Sequence, residues 1–215
     1  MGDRPPRAET ILQYTAVQRF YRHHARVYDS TRWLILHQRQ RAVARLELQP
    51  DSQVLDVGCG TGLNFRYILT ALDAQAGTLT GMDFSGDMLR RAARRVAGRG
   101  WGNVRLIQAD ATELALARGF DAVLFAYSLS MIPDWATALA RAVAHLRPGG
   151  RLVVLDFGRF EGWGPLAPLW RGWLRLNHVE TLRPYEPALR ERLSEVDVKQ
   201  WLGGYCFIAA GRRSA

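Results

Sequence analysis

The sequence predicts an α/β fold in which helices cover a doubly wound, mainly parallel sheet of seven strands. Short apolar segments alternate with helical segments between residues 52 and 157, a pattern typical of parallel strands joined by crossover helices. The chain then ends in two short strand segments joined by Gly203 and Gly204, which predicts a hairpin and an antiparallel last strand. Its 215 residues are 48% hydrophobic, enough for one such domain at 49–215 after a helical extension at 1–48.

The extension has helical periodicity from Thr10 to about Leu48, interrupted near Asp29. Aromatic and apolar residues share one face, and three arginines occupy the opposite face: Arg19, Arg22 and Arg26. This pattern is typical of a helix that lies in a membrane interface. A helix that covers the α/β domain with its apolar face has the same pattern, so both interpretations are kept.

The predicted elements of the α/β domain follow in order along the chain. Apolar strand segments lie at 52–57, 78–83, 104–109, 120–127, 151–157, 195–202 and 205–210. Helical segments with one apolar face lie at 64–72, 85–97 and 133–146, the last with Pro133 in its first turn.

A glycine-rich loop separates the first strand from the first helix. Gly58, Gly60 and Gly62 stand at alternate positions, and Asp56 precedes them in the strand. The glycines allow a sharp turn and a close approach to a ligand. A carboxylate here suits a ligand with an amino group better than a pyrophosphate, and the spacing differs from that of dinucleotide enzymes. The segment resembles motif I of class I S-adenosylmethionine (SAM) methyltransferases, which binds the aminocarboxypropyl tail of SAM.

Further segments resemble that family in the same order. Asp83 ends the second strand, where an acid can accept both ribose hydroxyls and also lie close to a helix N-cap. Asp110 follows the third strand at the ligand-binding edge of the sheet. We expect Met88 to pack either against the adenine of SAM or in the hydrophobic core. The resemblance implies SAM as the cofactor, held by Asp56, Gly58, Gly60, Gly62, Asn64, Asp83, Phe84, Met88, Asp110, Ala111 and Tyr127.

Three segments carry a narrower resemblance, at 21–32, 127–135 and 154–158. They are similar to the membrane-associated bacterial phosphatidylethanolamine N-methyltransferases, and 177–185 matches that group only in part. The resemblance implies methyl transfer to the headgroup amine of phosphatidylethanolamine and its mono- and dimethyl forms, towards phosphatidylcholine. A diacylglyceryl homoserine lipid is the alternative acceptor. An RNA or small-molecule methyltransferase and a non-catalytic SAM-binding protein are less favoured, because no RNA-binding motif accompanies the fold and motif I is intact.

An amine acceptor must lose a proton before methylation, because a primary ammonium has a pKa of about 10.4. Residues that can accept this proton by hydrogen bonding stand on segments expected near the pocket: Tyr21, Tyr28, Ser130, Asp156 and His178. Arg183, beside Tyr185, is the predicted ligand of the lipid phosphate. No metal site is predicted.

The net charge of +9 comes almost wholly from arginine, since Lys199 is the only lysine. Such a charge suggests an anionic partner, either nucleic acid or an anionic membrane surface, although a GC-rich genome would also raise the arginine content. Because no RNA-binding motif accompanies the fold, we expect the membrane surface and no nucleic acid. The segment 160–176 carries three of the seven tryptophans and suits a lipid headgroup boundary, or a lid packed over the sheet. With two isolated cysteines and no apolar run of membrane-spanning length, we expect a cytoplasmic protein attached peripherally to the inner face of the membrane.

Overall fold

The computed structural model of the protein describes residues 38–117 and 119–214. Their strands form one sheet in the order β3-β2-β1-β4-β5-β7-β6. The ladders between neighbours are parallel except those of β7, which is antiparallel to both β5 and β6. This confirms the predicted seven-stranded sheet with its antiparallel last strand. The strands are β1 (Gln53–Val57), β2 (Thr78–Asp83), β3 (Val104–Gln108), β4 (Phe120–Ala126), β5 (Leu146–Phe157), β6 (Ser194–Trp201) and β7 (Cys206–Arg212).

The fifth strand begins earlier than the sequence predicts. The residues Pro148-Gly149-Gly150 predict a turn before a strand at 151–157, but β5 already starts at Leu146. Its register against β4 jumps from the pair Phe120 and Leu146 to the pair Ala122 and Arg151. The turn-forming residues therefore bulge out of a continuous strand, and Gly149 takes a left-handed φ of 76° in that bulge.

The helices divide between the two faces of the sheet. Side chains that alternate along β4 and β5 enter two separate cores, as a strand period of two requires. Four described helices pack on the first face: α1 (Arg39–Ala44), α2 (Phe65–Leu69), α3 (Gly86–Arg99) and α5 (Ala167–Leu176). The second face carries α4 (Trp135–Ala144) and α6 (Tyr185–Arg190).

Local signals set the ends of the longest helix, α3. The Ser85 side chain accepts a hydrogen bond from the Met88 backbone N–H at the N-terminus. Gly100 ends the helix with a left-handed φ of 66°. Leu89 and Ala92 point into the first core, so the amphipathic pattern of this segment determines which side faces the sheet.

Only the end of the predicted N-terminal extension is described. Gln38 has a left-handed φ of 67°, and α1 runs from Arg39 to Ala44, so the helix stops short of Leu48. The other residues predicted to be functional on this segment lie outside the described residues: Tyr21, Tyr28, Arg19, Arg22 and Arg26. Within the described part of the chain, no helix is long and apolar enough to cross a membrane.

The first glycine of the loop after β1 is required by close packing. A Cβ on Gly58, whose φ is 69°, would lie 2.4 Å from the Ser128 Cβ. The Ser128 hydroxyl donates a hydrogen bond to the Val57 carbonyl oxygen at 2.7 Å, which holds the two loops at this distance. The ends of β1 and β4 therefore meet with no room for a side chain.

We expect Gly58→Ala to lower the free energy of unfolding by at least about 2 kcal/mol, because overpacking and left-handed strain both act. The matched control is Gly98→Ala in α3, where an added Cβ meets nothing within 4 Å. That change should raise stability by about 0.5–1 kcal/mol. Urea unfolding of both variants measures the difference, and equal stabilities would contradict the packing argument.

Candidate active site

A pocket opens at the carboxyl ends of β1, β2 and β4, beside α1 and the loop that follows β4. Residues from both sides of the crevice and from α1 line it, and this is the position at which open α/β sheets bind ligands. The predicted residues that line it are Gly58, Gly60, Asp83, Phe84, Asp110, Ala111 and Tyr127.

Asp83 fixes the glycine-rich loop against the end of β2. Its carboxylate accepts hydrogen bonds from the backbone N–H groups of Gly60 and Ser85, each at 2.8 Å. Burial raises the pKa of Asp83, and these two hydrogen bonds act in the opposite direction. A carboxylate oxygen has two lone pairs, so each oxygen keeps a site for a hydroxyl of a bound ligand. The carboxylate can thus shape the loop and bind a ligand at once.

Open space stands above the middle glycine of this loop. A Cβ on Gly60, whose φ is 57°, would meet no atom within 4 Å. At the next strand end, Asp110 lines the pocket and caps a short 3₁₀ helix (Ala111–Glu113) by accepting from the Thr112 backbone N–H. The pocket therefore combines a bare backbone surface with carboxylates at two strand ends, which suits a nucleoside with an extended polar tail.

Asp56, Asn64 and Arg39 form a buried hydrogen-bonded chain behind the loop. The Asn64 side-chain amide donates to both Asp56 carboxylate oxygens at 3.1 and 2.9 Å, and its own oxygen accepts from Arg39. Burial raises the pKa of Asp56 from 3.8 to about 7, while the Asn64 hydrogen bond and the Arg39 charge lower it. Neither Asp56 nor Asn64 lines the pocket. The structure places both behind the loop, where they position Arg39.

Two other predicted cofactor residues also lie away from the pocket. Met88 is fully buried and does not line the pocket, so it takes the core position rather than the adenine position. Gly62 does not line the pocket either, because its Cα faces the Phe65 ring, which a Cβ would approach to 2.7 Å.

Tyr127 closes the floor of the pocket in a strained conformation. It has a φ of 57°, which is uncommon for a residue other than glycine, and its side chain is 5% exposed. The Arg39 guanidinium lies over its ring at 5.4 Å from the centroid. Burial raises the pKa of the Tyr127 hydroxyl, so this side chain offers a neutral aromatic face.

Ser130 and Asp156, predicted as proton acceptors, bind each other. Asp156 accepts from the Ser130 backbone N–H at 2.9 Å, from the Ser130 hydroxyl at 2.6 Å and from the Phe157 backbone N–H at 2.8 Å. Both side chains are fully buried, and burial raises the pKa of Asp156. The pair does not line the pocket. It joins the loop after β4 to the end of β5, which is a positioning role.

Arg183, predicted to bind a lipid phosphate, instead binds backbone carbonyls. Its guanidinium donates to the carbonyl oxygens of Leu129 at 3.0 Å and Ile132 at 2.6 Å. Arg183 belongs to the insert between β5 and β6, residues 158–193. The insert therefore holds in place the loop after β4, which lines the pocket at Met131 and Ile132. In this position Arg183 acts on the shape of the pocket.

Tyr185 and His178 lie apart from the pocket. The Tyr185 ring packs in the second core against Trp135 and Phe207, at centroid distances of 5.0 and 5.7 Å. His178 is exposed in the turn after α5, with a φ of 61°. The structure thus does not bring either side chain to the pocket.

Several lining residues were not predicted. Arg39, Ser128, Met131 and Ile132 line the pocket through contacts made across the fold. Arg39 was one of many arginines in its segment, and nothing local marked it as the one that reaches Asn64. Ser128 could have been found, because it directly follows Tyr127 at the end of a strand that meets the glycine-rich loop.

A chain of aromatic rings leads from the pocket to the surface of the insert, residues 158–193. Successive ring centroids are 5.0, 5.7, 6.0, 5.6 and 5.6 Å apart, which is within the range of aromatic contact. In order, the rings are Tyr127, Phe157, Tyr205, Trp163, Trp170 and Trp173. The last is 47% exposed. We call this series the aromatic ladder.

The ladder ends in an exposed apolar patch. Leu166, Leu169, Trp173 and Leu176 follow a helical spacing along α5 and the residue before it, and their exposed fractions are 56, 72, 47 and 82%. The other two large apolar side chains exposed in the described part of the chain are Leu182 and Leu202. Leu182 belongs to the insert, and the Leu202 carbonyl accepts a hydrogen bond from the Trp163 indole. The exposed apolar patch is therefore defined by Leu166, Leu169, Trp173 and Leu176, and contiguous patches of this kind mark contact surfaces.

The chain is similar to known methyltransferases in sequence. Residues 54–150 match a family model described as a methyltransferase domain. A demethylmenaquinone methyltransferase from Tropheryma whipplei (strain Twist) is 31% identical over 196 residues, which cover 86% of this chain and 77% of the relative. One from Geobacillus kaustophilus (strain HTA426) is 34% identical over 119 residues, or 55% of this chain and 50% of the relative. The chain thus spans about half the length of several curated relatives it matches.

The fold is also similar to solved structures. The N-methyltransferase NodS from Bradyrhizobium japonicum WM9, in complex with S-adenosyl-L-homocysteine, superposes with a TM-score of 0.66 at 24% identity. The superposition covers 83% of this chain and 87% of that one. At this identity the likeness shows the shared fold.

We expect Asp83→Asn to weaken SAM binding about 10- to 150-fold, the equivalent of about 1.5–3 kcal/mol for hydrogen bonds to a charged group. Asp87→Asn is the matched control, because Asp87 pairs with Arg90 on α3 and does not line the pocket. Calorimetric titration of both folded variants measures the change. Equal affinities would remove Asp83 from the ligand contacts.

The raised pKa of Asp56 predicts a pH dependence of stability. From about pH 4 to about pH 7 the folded protein keeps a proton on Asp56 that the unfolded chain has released. This contribution to stability is fully present below the unfolded pKa and is lost as the pH rises through the folded pKa. Relative to wild type, Asp56→Asn should therefore gain stability over this range, by up to about 1.4 kcal/mol per pH unit. Urea unfolding at a series of pH values measures it, and a constant difference would contradict the buried, protonated carboxyl.

Proposed function

The chain belongs to the class I SAM-dependent methyltransferases, and we propose that it methylates the headgroup amine of a membrane lipid. The first acceptor in this proposal is phosphatidylethanolamine, with its mono- and dimethyl forms. A diacylglyceryl homoserine lipid is the alternative amine acceptor. SAM, when bound, supplies a methyl group on a sulfonium. The residues of the pocket bind and position SAM and the acceptor.

The residues of the pocket fit SAM. Asp83 keeps lone pairs for the ribose hydroxyls, and the bare backbone at Gly60 leaves space for the ligand. Asp110 stands at the next strand end, where it can accept from an adenine amino group. The Arg39 guanidinium lines the same pocket and supplies a cation for a carboxylate tail.

The exposed apolar patch at the end of the aromatic ladder is the observation that carries the proposal. An amphiphilic substrate must bring its polar head to the cofactor while its apolar chains stay out of water. The patch of Leu169, Trp173 and Leu176 offers an apolar contact surface, and the ladder connects it to the pocket floor at Tyr127. Tryptophan and leucine beside Arg171 and Arg175 are typical of a helix that enters a lipid headgroup region.

An amine acceptor is favoured by the neutral aromatic floor of the pocket. Tyr127 presents a ring face that already receives one cation, the Arg39 guanidinium, and a methylated ammonium product interacts with such a face in the same way. The nearby positive charge of Arg39 also favours the uncharged amine over the ammonium. The resemblance of segments 127–135 and 154–158 to phosphatidylethanolamine N-methyltransferases supports the same class of acceptor.

We assign most of the rate enhancement to positioning. Among the described residues that line the pocket, the carboxylates are Asp83 and Asp110, and both already hold backbone N–H groups. Ser130 and Asp156 are occupied with each other. Bringing the amine into line with the methyl group can supply about 7–11 kcal/mol, with proton release to water at the pocket mouth.

A second candidate acceptor is demethylmenaquinone. The observation that favours it is the similarity to demethylmenaquinone methyltransferases, one of which is 31% identical along 77% of its own length. An isoprenoid quinone is also amphiphilic, so the same apolar patch would serve it. The two candidates differ in the atom methylated, nitrogen in one and ring carbon in the other.

Incubation with methyl-labelled SAM and separate vesicles of each acceptor tests the proposal. Phosphatidylethanolamine, diacylglyceryl homoserine lipid and demethylmenaquinone are supplied in the same carrier lipid, and the labelled product is identified by mass spectrometry. We expect label on a lipid amine. Label on the quinone ring alone would replace the proposal with the second candidate, and the absence of label from all three acceptors would contradict both.

We expect the double change Leu169→Ser and Trp173→Ser to lower activity on vesicle-borne acceptor at least about tenfold, because it removes two exposed apolar contacts of about 1.5 kcal/mol or more each. Activity on a short-chain, water-soluble form of the same acceptor should stay within twofold. SAM affinity serves as the folding control. Equal losses on both substrates would contradict a role of the patch in reaching the lipid surface.

A further inference from the structure

A groove lined by arginines lies beside the pocket, between α1, α2 and α3. Its volume is about 840 Å³. The described residues that line it include no aspartate or glutamate, and its arginines come from all three helices: Arg39, Arg41, Arg66, Arg91, Arg94, Arg95 and Arg99. We call this surface the arginine groove. It borders the SAM pocket directly, because Arg39 and Leu63 line both.

Four arginines of the arginine groove form no ion pair within the part of the chain that the structure describes. Arg66, Arg91, Arg94 and Arg99 pair with none of the carboxylates of the described residues, whereas Arg90 on the same helix pairs with Asp87. Four cations on one concave surface repel one another at low ionic strength. An anionic partner relieves this repulsion, so the groove is suited to several phosphate groups at once.

Aromatic rings hold two of these guanidinium groups in place. Arg66 lies over the Tyr67 ring at 4.3 Å from its centroid, and Arg99 lies over the Trp101 ring at 5.9 Å. Both rings are partly buried against the first core. Stacking fixes the planes of the two guanidinium groups, so less side-chain freedom is lost when they bind a phosphate.

The arginine groove and the exposed apolar patch belong to the same side of the sheet. Helices α1, α2, α3 and α5 all pack on the same face of the sheet, because side chains of each enter the first core. Their solvent-facing surfaces therefore lie on the same side of the sheet. A lipid bilayer presents anionic headgroups and apolar chains together to one side of a protein. A nucleic acid presents no hydrocarbon chains against which exposed leucines such as Leu169 and Leu176 can pack.

We propose that the arginine groove binds the phosphate-bearing surface of an anionic bilayer and sets the SAM pocket at that surface. The acceptor reached there rests on the proposed function, but binding to the anionic surface does not. Arg94 and Arg99 bind lipid phosphates from one side of the pocket, while the apolar patch on α5 enters the headgroup region. The protein thus binds the membrane at two separate places, which is what stable peripheral attachment requires.

Sedimentation with vesicles that carry no methylatable amine tests this surface by itself. Vesicles of equal parts phosphatidylglycerol and phosphatidylcholine are compared with pure phosphatidylcholine vesicles, using the full chain. We expect Arg94→Gln with Arg99→Gln to weaken binding to the anionic vesicles about 30-fold, which corresponds to about 1 kcal/mol for each arginine. The binding of wild type should also fall steeply between 0.1 M and 1 M salt.

The matched control removes the same charge elsewhere. Arg105 on the edge strand β3 and Arg141 on α4 are exposed and do not line the groove. Arg105→Gln with Arg141→Gln should change vesicle binding by less than threefold. Both double variants should keep the wild-type affinity for SAM and the wild-type melting temperature, which shows that they are folded.

Three results would overturn the proposal. Unchanged vesicle binding in the groove variant would remove the groove from the interface, and equal losses in both variants would reduce the effect to net charge. A single-stranded RNA that displaces the vesicles, and whose binding the groove variant loses, would assign the groove to nucleic acid. Loss of vesicle binding in the groove variant alone supports the proposal, even if no lipid amine proves to be methylated.

Discussion

The contact between the ends of β1 and β4 is the constraint on which the site depends. Gly58 and Ser128 meet there with no space for a Cβ, and the Ser128 hydroxyl binds the Val57 carbonyl. This close approach brings the glycine-rich loop beside Tyr127, and the crevice between the two strand ends becomes the pocket. Tyr127 takes its strained left-handed conformation at the same junction. The strained backbone of Tyr127 and the tight packing of Gly58 against Ser128 therefore occur at the same junction, and this junction forms the cofactor site.

Three buried carboxylates are used in three different ways around this junction. Asp83 holds the loop that faces the ligand, Asp56 holds Asn64 and through it Arg39, and Asp156 holds the loop after β4. Burial raises the pKa of each, and hydrogen bonds from neighbouring groups oppose the shift. A buried carboxylate without such partners would be strongly destabilising. In this protein the acids act mainly by fixing backbone segments at the positions that catalysis needs.

The sequence was sufficient for features that depend on local chain order. The alternation of strands and helices, the hairpin of β6 and β7 and the glycine-rich loop follow from the apolar segments and the glycines of the chain. The acids at the ends of β2 and β3 are Asp83 and Asp110 themselves. The sequence was insufficient where distant segments meet. Ser130 and Asp156 were each chosen as proton acceptors, but their mutual hydrogen bonds depend on the pairing of β4 with β5. Arg183 was chosen for a phosphate, but two backbone carbonyls more than 50 positions away occupy it. The Pro-Gly-Gly turn signal was overridden by the ladder of β5.

The exposed apolar patch lies outside the contacts that attach the insert to the rest of the domain. Arg183 donates to two carbonyl oxygens of the loop after β4, and Glu180 donates its backbone N–H to the Ser130 carbonyl. Neither contact involves a residue of the patch. Mutations in the patch can therefore accumulate without disturbing Asp83 or the glycine-rich loop. Under the proposed function, substitution of the exposed side chains Leu166, Leu169, Trp173 and Leu176 could change the acceptor while the methyl-donor site stays intact.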